Sequence, residues 1–220
     1  SSTGLTALLS KKHMEKNSAL GLPRFWEPHV SDEVRTVALP SSSIEYQKVV
    51  NLLGSINDVV IVEKIERIQN PRLYKMYVCK RESMGLEANE KQLFHGTKAG
   101  NISSINTNNF NRRFSGINGT KFGDGVYFSR NSMYSARFSL LKDTDSKKLG
   151  EILCMYVAKV LVGMSVKGDP KMRVLPKRND PRNPELVYDT AVNDTKDPSI
   201  FVTFDDHQCY PEYLITFKSR

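Results

Sequence analysis

One stretch of this 220-residue chain sets a histidine between an apolar run and a glycine: Gln92-Leu93-Phe94-His95-Gly96-Thr97. Imidazole is the side chain whose charge changes nearest neutral pH, so a histidine in such a setting is a candidate for handling a proton or a polar ligand. The same residues also fit a strand that ends in a turn, with His95 stacked at its edge and Gly96 taking a backbone angle that other residues resist. A second glycine-rich stretch, Gly123-Asp124-Gly125, runs directly into Val126-Tyr127-Phe128. Its glycines lead into a strand and not a helix, which permits close approach of another group to the backbone and argues against a dinucleotide-binding βαβ unit. The other reactive types offer less. Cys79, Cys154 and Cys209 are an odd, widely spaced set with neither a disulfide framework nor zinc-ligand spacing, and His13, His29, His95 and His207 lack ligand spacing too. No structural metal is expected.

Something must hold those two stretches in place. A length of 220 residues suits one globular domain with a short extension, large enough to bury a core. No apolar run reaches the ~20 residues of a bilayer-spanning helix. The opening SSTGLTALLSKK has too short an apolar stretch, with no basic residues ahead of it, for a secretory signal. An intracellular protein, cytoplasmic or nuclear, is expected, with no membrane partner and a monomeric isolated domain. The formal charge of +8 favours polyanions, either nucleic acid or an anionic cofactor. Its basic residues are nonetheless scattered without long runs, as on an ordinary solvated surface.

Residues 1–22 show weak periodicity and end in Gly21-Leu22-Pro23, which reads as a linker or extension ahead of a folded domain over residues 23–220. RTVALP alternates as a strand does. The serines of SSSIEYQKVVNLLGSI suit the cap of a helix whose apolar face is Ile44, Val49, Val50 and Leu53, stopped by Gly54. The β-branched run 59–62 and the alternation at Ile65 and Ile68 predict a strand, after which Asn70 as cap and Pro71 at the first helical position start a helix. QLFHG, GVYFS, EILCMYVAKVLVG, SIFVTF and EYLITF read as strands, with short helices at Lys98–Asn106 and Ser132–Leu140. The link DDHQCYP is too short for a crossover helix, which favours antiparallel pairing of the last two strands.

FHGT, then GDGVYFSRNSMYSARF, then DPSIFVTF, in that order, resemble the catalytic domain of the poly(ADP-ribose) polymerase family, the diphtheria-toxin-like ADP-ribosyltransferases. The resemblance covers roughly residues 24–217, and VEKIERIQNP, FNRRFSG and YPEYLITF are similar to the mono-ADP-ribosylating branch, especially its macrodomain-carrying members. It implies an α+β fold of two packed, mainly antiparallel β-sheets with flanking short helices. It also implies an NAD pocket. His95 would hydrogen-bond the adenosine ribose, and the backbone of Gly96 would hold the nicotinamide carboxamide. Tyr127 would wall the nicotinamide ribose, Ser135 would donate to the carboxamide, and Phe138, where tyrosine is common, would stack on the nicotinamide ring. Thr97, Phe128 and Tyr134 complete the implied cofactor-binding set, and Arg112 or Arg113 in FNRRFSGINGTKFG, the family's donor loop, would meet the adenine or a phosphate.

The polymerase members of that family place a glutamate at the head of a late strand, where it binds the ribose and activates the hydroxyl of a growing chain. The VYDT segment, the DPS turn and the apolar run put Ile200 there, so the catalytic positions read His95, Tyr127 and Ile200. Glu212 lies one strand later, as a solvent-facing strand residue or an ion-pair partner. Without the carboxylate a ribose hydroxyl lacks its general base, whereas a protein Glu or Asp is already an adequate nucleophile. The implied activity is transfer of one ADP-ribose from NAD to a protein acceptor, the chain itself among the candidates, with release of nicotinamide. Two other classes stay open: a catalytically weak or silent NAD- or nucleotide-binding module of a larger antiviral or signalling protein, and a nucleic-acid-binding domain, which no motif indicates.

Overall fold

In the computed structural model, which describes residues 2–28, 32–112, 120–140 and 152–220, the weakly periodic opening is helical: α1 (Ser2–Ala19) stands where only a linker is expected. Its end is tied down, because the buried Asn17 donates from Nδ2 to the Trp26 carbonyl at 2.8 Å and to that of Pro23 at 3.4 Å. Strand β1 (Arg35–Ala38) and helix α2 (Ile44–Leu53) follow. Ser43 caps α2 by accepting from the Tyr46 N–H, and Gly54 at φ 60° ends it. Val49 and Leu53 of its expected inner face are buried, but Ile44 is 75% exposed. At about 3.6 residues per turn, nine residues put Ile44 half a turn round from Leu53.

Strand β2 (Val60–Gln69) runs into Asn70, whose Oδ1 accepts from the Leu73 N–H, and Pro71 then opens α3 (Pro71–Met84) as its punctuation predicts. Next come β3 (Glu90–Thr97), α4 (Ile102–Asn108), β4 (Val126–Ser129), α5 (Ser132–Leu140) and β5 (Ile152–Leu161). Two three-residue strands too short to carry a pattern, β6 (Ser165–Lys167) and β7 (Thr190–Val192), precede β8 (Ile200–Thr203) and β9 (Cys209–Ser219).

Among the described residues these strands form one sheet in the order β1-β2-β9-β5-β3-β4-β8-β7-β6, antiparallel at every pairing except β6 with β7. The α+β, mainly antiparallel class is as expected; the two sheets turn out to be joined. β3 and β5 pair over eight residues, whereas β3 and β4 meet at the single pair Phe94 and Ser129. Val126, Phe128, Val192 and Phe201 from one half and Tyr156, Ala158, Val160 and Leu214 from the other share one core, so the halves pack on each other across it. A second core, on the other side of β5, gathers Val49, Leu53, Phe94, Met155 and Ile215.

The last two strands do not pair. β8 lies between β4 and β7, and β9 between β2 and β5, because the link after β8 steps across the core to the other half and does not turn back within one sheet. Gln208 spans that step, its Nε2 reaching the carbonyls of Leu161 and Asp189 and Oγ1 of Thr190 at 2.6–2.9 Å.

Candidate functional site

The single residue pair joining β3 to β4 marks the candidate site. Past Phe94 and Ser129 the ladder stops, leaving His95-Gly96-Thr97 on one lip of a split and Tyr127-Phe128 on the other. One hydrogen bond spans it, from His95 Nδ1 to the Tyr127 carbonyl at 2.8 Å. A carbonyl only accepts, so this bond assigns the proton to Nδ1 and leaves Nε2 as an unprotonated acceptor. Burial holds the imidazole below its usual pKa, with the Tyr127 carbonyl opposing, so the ring is neutral at physiological pH.

Aromatic packing fixes that ring. Phe110 and Phe128 lie 4.8 and 5.6 Å from it between centroids, and Phe110 meets Tyr156 edge-on at 5.5 Å. Tyr156 in turn donates to Asn106 Oδ1 at 2.7 Å, and the Asn106 carbonyl accepts from Asn70 at 2.8 Å. Phe128, expected to touch the cofactor, is 1% exposed in this core. Strand alternation sends it behind His95 while Tyr127 takes the opposite face, so it bears on the site only by holding the imidazole.

Tyr127 is half-buried, and its hydroxyl both donates to the Gly123 carbonyl at 2.7 Å and accepts from the Phe122 N–H at 3.0 Å. Burial pushes the phenol's pKa up, so it stays protonated. The two glycines that promised room for a ligand admit the chain itself. A Cβ on Gly125 would lie 2.4 Å from the Thr203 carbonyl, and one on Gly123, at φ 126°, would lie 2.8 Å from the Phe204 ring.

Helix α5 brings the next group. Asn131 caps its first turn by accepting from the Met133 N–H at 2.9 Å, and Ser132 donates to the Leu53 carbonyl at 2.6 Å. Ser135, buried, then donates its hydroxyl to the Phe94 carbonyl at 3.1 Å, so its proton is committed to β3 while its lone pairs stay open. Tyr134 is half-buried and close enough to Tyr127 to raise its pKa. Thr97 is buried and accepts from the Asn101 side chain at 3.3 Å. Arg112 donates to the carbonyls of Phe204 and Arg173, both at 3.3 Å, and lies over the Phe204 ring. Its guanidinium is thus occupied by the chain. Arg113 and the Phe138 side chain fall outside the described residues.

Ile200 opens β8, paired with Ser129 and 8% exposed. Antiparallel partners project to one face, so Ile200 shares the face of Ser129, and of Tyr127 two residues along β4, while His95 belongs with Phe128 on the other. The split therefore collects groups from both faces. Asn193 fixes Ile200 by accepting its N–H at 2.9 Å and that of Ser199 at 3.0 Å. Neither Asn193 nor Phe110 stands out in the sequence, where each is one polar or aromatic residue in an unpatterned loop.

Glu212 lies on β9, at a bulge opposite Val157 and Ala158. It is 9% exposed, accepts from Gln92 Nε2 at 2.8 Å and stands 3.7 Å from Lys159. Burial lifts its pKa, against Lys159 and Gln92. Of its two expected settings, ion-pair partner holds and solvent-facing does not. A hollow of about 500 Å³ between β1, β2 and α4, lined by Thr36, Glu66, Ser103 and Asn106 among others, contains none of the side chains of the split. Among the described residues no three His, Cys, Asp or Glu side chains are grouped to hold a metal, and no helix is long and apolar enough to cross a membrane.

A mainly antiparallel α+β domain whose sheet splits beside a neutral His-Gly pair, with a tyrosine on the facing strand, has the architecture of the ADP-ribosyltransferase fold. The chain belongs to the poly(ADP-ribose) polymerase catalytic domain family, whose pattern matches residues 43–219. It is 39% identical over 215 residues to protein mono-ADP-ribosyltransferase PARP14 of Homo sapiens, an alignment covering 96% of this chain and 12% of that one. It is also 39% identical over 205 residues to PARP12 of Mus musculus, covering 90% and 28%, and 35% identical over 222 residues to PARP11 of Homo sapiens, covering 92% and 65%. The chain thus spans between 12 and 65% of the length of these relatives.

Proposed function

We propose that this domain cleaves NAD and transfers one ADP-ribose unit to a protein side chain, with Asp and Glu as the favoured acceptors. Domains of this family use NAD as substrate, and the relatives above carry the name protein mono-ADP-ribosyltransferase, which supports the reaction class. The observation that carries the single-unit reading is Ile200. It heads β8 on the face of Tyr127, where a carboxylate would be needed to activate a sugar hydroxyl.

The groups at the split suit the ligand. Nε2 of His95 can accept from a ribose hydroxyl, Gly96 leaves its strand edge free of a side chain, the Tyr127 ring offers a wall, and Ser135 retains acceptor capacity beside the Phe94 carbonyl. Breaking the nicotinamide-ribose bond builds positive charge on the ribose while a neutral nicotinamide departs, so fixing both ends of NAD and excluding water supply much of the catalysis. The silent-module reading draws less support, since His95 is neutral and keeps an open acceptor. A nucleic-acid face draws less as well: no motif indicates one, and Arg67, Arg112 and Arg178 are held by carboxylates or carbonyls of the chain.

The test is incubation with NAD bearing an affinity tag on its adenine. Covalent labelling of the protein or of an added Glu-containing peptide, slowed about 10- to 100-fold in His95→Ala, is expected. Tagged NAD that binds and is never transferred would leave only a binding module.

A further inference from the structure

At the end of the β4–β8 pair where Ile200 sits, the chain sets out a cation of its own. Ser129 pairs with Ile200, and the next residue, Arg130, donates its backbone N–H to the Ser199 carbonyl at 2.9 Å, so Arg130 stands one step beyond the Ile200 pair. Its guanidinium reaches over the turn that precedes β8 and holds both carboxylate oxygens of Asp197, at 2.8 and 3.4 Å. That turn is stiff, since Asn193 accepts from the N–H groups of Ser199 and Ile200 and donates to Ser199 Oγ at 2.9 Å. The ion pair, by contrast, is open to water: the Arg130 and Asp197 side chains are 57% and 75% exposed.

An exposed pair of this kind contributes little to folding, so a stiff turn presenting one is poorly explained by stability. It is also easily exchanged for another carboxylate, and Arg meets carboxylates through two parallel N–H bonds. Ile200 contributes no group that could hold or activate an acceptor. We propose that Arg130 is a specificity-determining residue that takes up a carboxylate of the incoming protein acceptor, with Asp197 as the internal stand-in it releases. The inference rests on the transferase reading above and names what selects its acceptor. In the step it serves, an acceptor carboxylate oxygen forms the bond to the ribose carbon, the bond from that carbon to the nicotinamide nitrogen breaks, and nicotinamide leaves as a neutral molecule with the electron pair. No proton has to move.

The two partners of the ion pair then give opposite results, which a merely structural bridge does not. With a peptide carrying a single Glu among Gly and Ser, Arg130→Gln should raise the KM for peptide by roughly tenfold, the scale of one hydrogen bond to a charged group, while nicotinamide release into water without peptide stays unchanged. Asp197→Asn should free Arg130 and lower that KM by a few-fold. If both variants shift the KM the same way, or neither does, the inference is overturned while the transferase reading stands. Lys196→Gln removes a charge from the same turn, and a loss equal to that of Arg130→Gln would also overturn it, by making overall charge the determinant. No nicotinamide release from NAD by the unaltered chain would instead remove the transferase reading, and this inference with it.

Discussion

Two regions on the central strands hold ionisable groups in different ways: in one the charged groups pair with one another, in the other a buried neutral histidine has a single partner. Where α3 meets β3, β5 and β9, Tyr77 of the helix joins Glu90, Gln92, Lys159 and Glu212 of the strands in a cluster whose groups pair with one another, with Arg81 also 3.6 Å from Glu90. Tyr77 donates to Glu90 at 2.6 Å, Lys159 lies 3.6 Å from Glu90 and 3.7 Å from Glu212, and Gln92 satisfies the remaining Glu212 oxygen. At the β3–β4 split, His95 spends one nitrogen on Tyr127, and the β3–β4 ladder has ended there. On the function proposed above, a perturbed carboxylate is a poor guide to the site. A neutral histidine with a single partner at a break in the sheet is the better one.

The strongest blow to that comparison falls on the split. Gly96→Trp should abolish NAD binding, since any large side chain on that lip fills the space it needs, and His95→Ala should cost about 10- to 100-fold in kcat/KM, the scale of a lost hydrogen bond with an unsatisfied partner. Circular dichroism and thermal melting separate loss of binding from loss of folding. Folded variants that still bind NAD normally would move the site elsewhere.

A smaller effect sharpens the role of the facing lip. Tyr127→Phe keeps the ring and removes the bonds to Gly123 and Phe122, each worth about 1 kcal/mol. The KM for NAD should rise about fivefold with kcat nearly unchanged, because the ring wall survives and the turn loosens. An equal fall in kcat would give the hydroxyl a part in the chemistry.

The pH dependence distinguishes the regions too. His95 has a lowered pKa in the folded chain, so the unfolded chain takes up the proton first as pH falls through about 6.5. Stability from this group is then full above that value and declines below it toward the folded pKa, and NAD affinity should stay level through neutrality and fall only on the acid side of the usual histidine range. A fall in affinity centred at or above 6.5 would mean that His95 is not the group held neutral. Glu212 has the opposite sign, its raised pKa making the folded state less stable as pH climbs through it. The least effect on transfer is expected from Glu212→Gln, within about twofold of the unaltered chain, because its carboxylate pairs with Lys159 and Gln92 away from the split. A large loss of transfer would return Glu212 to the chemistry.

Much of this was legible in the residues, and what was not has identifiable causes. Asn70-Pro71, Ser43 and Gly54 mark their helix ends by local hydrogen bonding, which sequence carries directly. The assignment of Ile200 to β8 and Glu212 to the following strand also holds. Strand partners are not local. A five-residue link between β8 and β9 was compatible with a hairpin, and only the packing of two half-sheets sends it across the core. The glycines at 123 and 125 signal close approach correctly, but sequence does not say whether ligand or chain approaches, and here it is Phe204 and Thr203. Phe128 and Tyr127 are adjacent aromatics of one motif, and only the direction of the pleat puts one in the core and one at the split.

The central claim is that an aliphatic residue at position 200 ends the reaction after one unit. Peptide-level mass spectrometry of the protein after prolonged incubation with excess NAD tests it most directly. Every modified side chain should carry a single ADP-ribose, since a second transfer without a general base runs slower by roughly 10²–10⁴-fold. Chains of several units on one residue would contradict the account, and chains that vanish in Glu212→Gln would identify the carboxylate responsible.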